Sequence, residues 1–159
     1  MFALRVSRRV GVSALRSLTT TPARPMSEMA FTFAAPNGVL YDGANVKQVD
    51  VPSFSGSFGI LPAHVPSLAV LKPGVVTVYE QEGAPKKFFV SSGSVTINED
   101  NSVQILAEEA HPLDCLDASE AQQALSQAQS QMNSAADEVA KAEAQIAVEV
   151  AEELIKAVQ

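Results

Sequence analysis

The chain has 159 residues, 47% of them hydrophobic and 18% charged, with no tryptophan and a single cysteine, Cys115. That length suits one ordinary domain or two small ones; one thiol excludes an internal disulfide and leaves a Cys/His metal site short of ligands, and no run nears the roughly 18–20 apolar residues that cross a bilayer as a helix. The net charge of −7 is unevenly spread: Arg5, Arg8, Arg9, Arg16 and Arg24 face only Glu28 in residues 1–30, so the remainder holds six lysines against seventeen acids, a net of −11 without arginine, which excludes nucleic acid as a partner because phosphate backbones need clustered positive charge.

Residues 2–18, FALRVSRRVGVSALRSL, contain arginine and serine but no acid. On a helical wheel Arg5, Arg8, Arg9 and Arg16 fall on one side, and Ala3, Leu4, Val6, Val10, Ala14, Leu15 and Leu18 on the other, with Val12 the exception. Such a sorted, acid-free amphipathic segment is the signature of a mitochondrial transit peptide. Residues 1–26 are expected to be a cleaved leader ending between residues 18 and 26, with Arg16-Ser17-Leu18 and Arg24-Pro25 as candidate processing sites.

From Phe31 to Leu113 the hydrophobic pattern has period two, with turns every 8–12 residues, and predicts a β domain over 31–113, a sandwich or flattened barrel rather than a parallel sheet. NGVLYDGANVKQVDV reads as two short strands broken at Asp42-Gly43. PGVVTVYE alternates, with Val76 and Val78 on one face and Val75, Thr77 and Tyr79 on the other. EGAPKK is a turn, KFFVSSGSVTIN resumes with a bulge or bend at Gly93, and NEDN (98–101) turns again. SVQILAEEA then sets Val103, Ile105 and Ala107 against Gln104 and Leu106.

Glycine and proline vanish after Pro112, and alanine, glutamine and glutamate take over. Asp117 with Glu120 reads as an N-cap in a capping-box variant. Ala118, Ala121, Leu125, Ala128, Met132 and Ala135 form one helical stripe. Asn133-Ser134 end that helix, Asp137 caps the next, and Val139, Ala142, Ile146, Val150, Leu154 and Val158 form the second stripe. Asp137 and Lys141, and Glu152 and Lys156, are spaced as i,i+4 ion pairs. Two helices with so short a break predict an antiparallel hairpin over 117–159. Its alanine stripe buries little area, so the hairpin is expected to lean on the sandwich or on another subunit. The fold class is therefore α+β in two domains.

Chemistry is hard to assemble from these residues. His64 and His111 have no histidine or cysteine at metal-ligand spacing. There is no G-x-S-x-G, G-x-x-x-x-G-K-[ST] or G-x-G-x-x-G. Glu108-Glu109 are sequence neighbours that point to opposite faces of an extended chain, and Cys115 reads as a small buried apolar residue. No catalytic residue, cofactor or metal is expected. The stretch SFSGSFGILPAHVPSLAVLKPG (53–74) instead reads as stiff architecture: Pro52, Pro62, Pro66 and Pro73 fix φ, and Gly56 and Gly59 permit sharp turns. Ser53 to Phe58 would form an exposed tip carrying Phe54, with Phe58 as a second candidate, suited to gripping a partner, while His64 would be satisfied within the loop.

The stretches FTFAAPNGVLYDGANVKQVDVPSFSGSFGILPAHVPSL, LKPGVV, FFVSSGSVTIN and VQILAEEA, with LD opening an alanine-rich hairpin, resemble the delta/epsilon subunits of F-type ATP synthases over residues 31–159. The resemblance implies a flattened sandwich of about ten strands followed by an α-helical hairpin. It implies a non-catalytic central-stalk (rotor) subunit on the matrix side of the mitochondrial inner membrane. The implied partners are the gamma subunit, the small mitochondrial epsilon subunit and the polar loops of the c-ring. By position, Ser53, Phe54, Ser55, Gly56, Ser57, Phe58 and Gly59 match the c-ring-facing loop, and Ile60, Leu61, Pro62, His64, Pro66 and Leu68 the rotor-packing segment. Bacterial relatives that bind ATP use a motif L/I-D-x-x-R-A; here Leu116-Asp117-Ala118-Ser119-Glu120-Ala121 puts Glu120 where the arginine belongs. Nucleotide binding is therefore not expected. The alternative is a regulatory module of the same complex, whose hairpin moves to block rotation, although inhibitory hairpins are basic and this one is acidic.

Overall fold

The computed structural model describes residues 28–158; the expected leader, residues 1–26, lies outside the described residues. Strand β1 (Met29–Ala35) turns Met29, Phe31 and Phe33 inward and Ala30 and Thr32 outward, the period-two burial of a half-covered sheet. It pairs antiparallel with β2 (Gly38–Val51) and parallel with β8 (Ser102–Ala107). β2 is one strand of 14 residues, not the two short strands expected. Asp42-Gly43 form a bulge: Gly43 takes φ +61, the pairing slips between Phe31 and Phe33, and the Thr32 hydroxyl accepts the Gly43 N–H at 3.2 Å. The glycine bends the strand without ending it.

That bend lets β2 serve both layers. Its first half pairs with β1, and its second half with β5 (Gly74–Glu80) and β3 (Phe58–Ile60). The remaining strands are β4 (Ser67–Leu71), β6 (Lys86–Val90), β7 (Gly93–Ile97) and β9 (Ala110–Pro112), in the order β4-β7-β8-β1-β2-β5-β6-β9. The described residues thus hold nine strands, in line with the expected sandwich of about ten, plus an isolated bridge between Ser53 and Leu71. The folded-over sheet closes on a single core in which Phe31, Phe33, Ile60, Leu71, Val76, Val78, Val90 and Ile105 are fully buried. Phe88 meets Phe33 edge-on at 5.6 Å and Tyr41 at 5.9 Å, a favoured aromatic geometry. The Tyr41 hydroxyl donates to Glu80 Oε1 at 2.8 Å, and Lys86 Nζ reaches the same oxygen at 2.8 Å. Burial first, and this acceptor second, push the Tyr41 phenol up.

Three connections carry the chain between layers, at 71–74, 90–93 and 107–110. The first is tied to the end of β2 by Lys72 N–H to Pro52 C=O (3.2 Å), and the other two are laced together by Ser91 N–H to Glu109 C=O (3.3 Å) and Glu108 N–H to Ser92 C=O (3.0 Å). The expected bend at Gly93 is such a corner. A Cβ there would lie 2.3 Å from the Leu106 carbonyl oxygen and 2.8 Å from Ala107 Cα, so only glycine fits.

A 3-10 turn (Leu113–Cys115) leads into α1 (Ala118–Ser134), which α2 (Glu138–Val158) follows after three residues as an antiparallel hairpin. Cys115 is exposed on that turn, contrary to its expected burial. Asp117 caps α1 by accepting the Ser119 N–H at 2.7 Å, and Asp137 accepts the Val139 N–H at 2.6 Å at the start of α2. The buried positions are Ala121 and Ala128 of α1 and Ala144 and Ala151 of α2. The expected α2 stripe holds only in its second half: Val139, Ala142 and Ile146 are exposed, whereas Val150, Leu154 and Val158 are half-buried, as are Val148 and Ile155 in line with buried Ala144 and Ala151. Alanine on both sides allows close approach of the backbones. The i,i+4 ion pairs are also displaced, since Lys156 pairs with Glu153 at 3.0 Å and the Asp137 carboxylate takes a backbone N–H. α2 lies against β5, and Phe89, on the opposite face of β6 from Phe88, is buried.

The Asp117 cap is pH-sensitive. The Ser119 backbone N–H holds its carboxyl below the ordinary value of 3.8. Its contribution is present above that unfolded value and is lost as pH falls through the lowered folded one. Far-ultraviolet circular dichroism between about pH 5 and about pH 2 should show the helical signal fall with acid, and Asp117→Asn, which keeps an acceptor but cannot titrate, should flatten that slope.

Candidate functional site

The loop after β2 is anchored before it is exposed. Ser53 is buried, bridged to Leu71, and its carbonyl accepts the Gly56 N–H at 3.0 Å in a tight turn. Gly56 adopts φ +118, open to glycine but strained for other residues. Phe54 then stands out at 73% exposure, with Ser55, Gly56, Ser57 and Gly59 exposed around it. Phe58 does not share the tip: it is half-buried in β3, packed on the core, with its ring centroid 6.2 Å from that of His64.

The segment from 60 to 68 divides similarly. Ile60 is fully buried and belongs to the core, so it supports the surface from beneath. Leu61, Val65 and Leu68 are exposed, and Pro62 and His64 are half-buried. The His64 ring is satisfied locally, with Nδ1 2.8 Å from the Val65 carbonyl oxygen. Between them Ala63 holds φ +63, a left-handed conformation that costs a residue with a Cβ about 1–2 kcal/mol.

A third surface emerges only from strand register. Across the outer face, Val39 pairs with Ala34, Ala34 with Leu106, Leu106 with Ser94, and Ser94 with Val70. This row spans five strands, and Leu68 lies in the neighbouring row opposite Thr96. Val39 (65%), Leu106 (58%), Val70 (58%) and Leu68 (75%) are all exposed. These apolar side chains are aligned on one sheet face and flanked by Thr32, Thr96 and Gln104, the pattern of an apolar centre with a polar rim that protein interfaces use. The expected site residues did not include Val39, Val70 or Leu106. The local clue was the alternation in β8, which put Leu106 beside Gln104 on the wet face.

Among the described residues no comparable convergence of reactive groups is found. Among the described residues no three His, Cys, Asp or Glu side chains gather as a metal site, and no buried polar side-chain atom lacks a partner. Glu108 accepts the Ser92 hydroxyl at 2.7 Å on the surface. A hollow of about 320 Å³ at the base of the hairpin is lined by Cys115, Leu116, Asp117, Glu120, Ala121, Ala124 and Leu154. Its charged groups, Asp117 and Glu120, are both acids, so the position matching the bacterial ATP motif repels phosphate. No described helix is long and apolar enough to cross a membrane.

The described residues form a β-sandwich carrying an α-helical hairpin, with exposed apolar rows on its outer face. The sequence profile of the "ATP synthase, Delta/Epsilon chain, beta-sandwich domain" matches residues 28–113. "ATP synthase subunit delta, mitochondrial" of Caenorhabditis elegans is 49% identical over 130 residues, covering 82% of this chain and 79% of the relative. The subunit of the same name from Saccharomyces cerevisiae is 39% identical over 152 residues, covering 91% and 94%. The chain belongs to the delta/epsilon family of ATP synthase subunits. The corresponding fold occurs in a chain of the Euglena gracilis mitochondrial ATP synthase (OSCP/F1/c-ring), with a TM-score of 0.78, 24% identity and coverage of 87% and 86%. At that identity the match speaks for the fold alone.

Proposed function

We propose that this chain is a non-catalytic rotor part of the mitochondrial ATP synthase, a stiff coupling piece between gamma and the c-ring on the matrix side of the inner membrane. The observation that carries this reading is the register-aligned row Val39–Ala34–Leu106–Ser94–Val70 on a rigid sheet. Gamma takes that row together with Leu61, Val65 and Leu68. The Phe54 tip, held by the Ser53 anchor, faces the polar loops of the c-ring. The small epsilon subunit is a further partner. Residues 1–26 act as the leader that directs the chain to the mitochondrion. ATP does not bind, because Asp117 and Glu120 line the one position where the family's nucleotide motif would act.

Isolation of the native chain from mitochondria, followed by identification of what accompanies it, tests this reading. Gamma and c-ring subunits should co-purify with it; a monomeric chain in the matrix, free of ATP synthase subunits, would refute it. Deleting residues 117–159 separates a coupling role from hairpin inhibition. ATP hydrolysis should not rise, because the hairpin offers only Lys141 and Lys156 among many acids.

A further inference from the structure

We propose that Asn101, on the turn between β7 and β8, is the positioning residue that locks the 61–66 loop into its partner-binding shape. The inference rests on the reading of Leu61 and Val65 as contacts to gamma. The Ala63 N–H donates to Asn101 Oδ1 at 3.1 Å, across 38 residues of sequence. Ala63 and Asn101 are the only non-glycine residues with positive φ among the described residues, and both stand at +63°. Two left-handed residues joined by one hydrogen bond are a fastener, because strain of this kind persists only where the surroundings over-determine it.

The rest of the turn is arranged so that the Asn101 amide is free to reach out. Asp100 accepts the Ser102 N–H at 3.0 Å and its hydroxyl at 2.6 Å. Asn98 Nδ2 donates to Ser102 Oγ at 2.8 Å, and the Asn101 N–H donates to the Asn98 carbonyl at 3.3 Å. The turn is closed by its own groups, leaving the Asn101 oxygen for Ala63. On the other side, His64 N–H bonds the Leu61 carbonyl at 3.1 Å, and the Ser67 hydroxyl donates to the Val65 carbonyl at 2.9 Å. These bonds are internal to the loop. They set its curvature, while Asn101 ties the curve to the sheet. Leu61 and Val65, exposed on either side of Ala63 and His64, are thereby presented in one arrangement. A loop ordered before contact does not spend binding free energy on ordering.

The test uses the mature chain and its purified gamma partner, with affinity and melting temperature read on each variant. Asn101→Gly keeps the positive φ at no steric cost but removes the acceptor; affinity should fall about tenfold. Asn101→Asp keeps an acceptor oxygen and tolerates the same φ; it should stay within about threefold of the parent. Melting temperatures should track neither change in affinity. Leu61→Asp with Val65→Asp is the control for the underlying reading. If that double variant binds like the parent, the loop is not a contact and the proposal falls with it. If the double variant binds weakly while Asn101→Gly binds normally, or if Asn101→Gly and Asn101→Asp lose affinity equally, the loop is a contact but the positioning role is overturned.

Discussion

Gly93→Ala is expected to lower the melting temperature by roughly 10 °C. The added Cβ would stand 2.3 Å from the Leu106 carbonyl oxygen and 2.8 Å from Ala107 Cα, both backbone atoms of the neighbouring strand. No side chain can rotate away to make room. Either β7 withdraws from β8, or the 90–93 corner moves and strains the hydrogen bonds that join Ser91, Ser92, Glu108 and Glu109. The residue also holds φ +156, which penalises any Cβ. Together these effects amount to about 3 kcal/mol. Differential scanning calorimetry would read the change. A drop of less than about 2 °C would mean that the corner yields easily and the stiffness assigned to this end of the sandwich is overstated.

Leu106→Asp combined with Val70→Asp should weaken binding to gamma at least about 30-fold, equivalent to about 2 kcal/mol, the threshold for residues that dominate an interface. Leu106 stands at the centre of the outer row, with Ala34 on one side and Ser94 then Val70 on the other. A carboxylate there must be desolvated against an apolar partner without a cation from its own neighbours, since Thr32, Ser94, Thr96 and Gln104 surround it. The folded chain itself should tolerate the change within about 1 kcal/mol, because both side chains already face water. Isothermal titration with purified gamma, alongside the melting curve, distinguishes loss of contact from loss of fold. Unchanged affinity would remove the sheet face from the interface.

Much of the sandwich was legible because burial on one face leaves a period-two mark. Val76 and Val78 in β5, and Val103, Ile105 and Ala107 in β8, point where their alternation says they should. Gly43 misled because a glycine bulge and a hairpin turn have the same local signature; what decides between them is whether β1 continues alongside, a non-local fact. The first half of the second helix misled for a different reason. Val139 and Ile146 are larger than Ala144 and Ala151, so they dominate any apolar stripe drawn from sequence, yet close packing against the alanines of α1 selects the small residues. Cys115 follows its 3-10 turn to the surface, where residue-type preference gave no warning.

The interaction surface divides along the same line. The glycines and prolines of 52–66 identified a stiff loop, and Phe54 is its exposed tip. The sequence could not separate Ser53 and Ile60, which anchor from within, from Leu61 and Leu68, which face out. The row from Val39 to Val70 draws on five strands far apart in the chain, so it exists only once their registers are fixed.

The central claim is that this chain couples the rotor mechanically and performs no chemistry of its own. Its most direct test is ATP synthesis driven by an imposed proton gradient in inner-membrane particles depleted of the chain and then reconstituted with it. Synthesis should collapse on depletion and return when the chain, but not the Leu106→Asp/Val70→Asp form, is restored. Undiminished synthesis in particles lacking the chain would contradict the account.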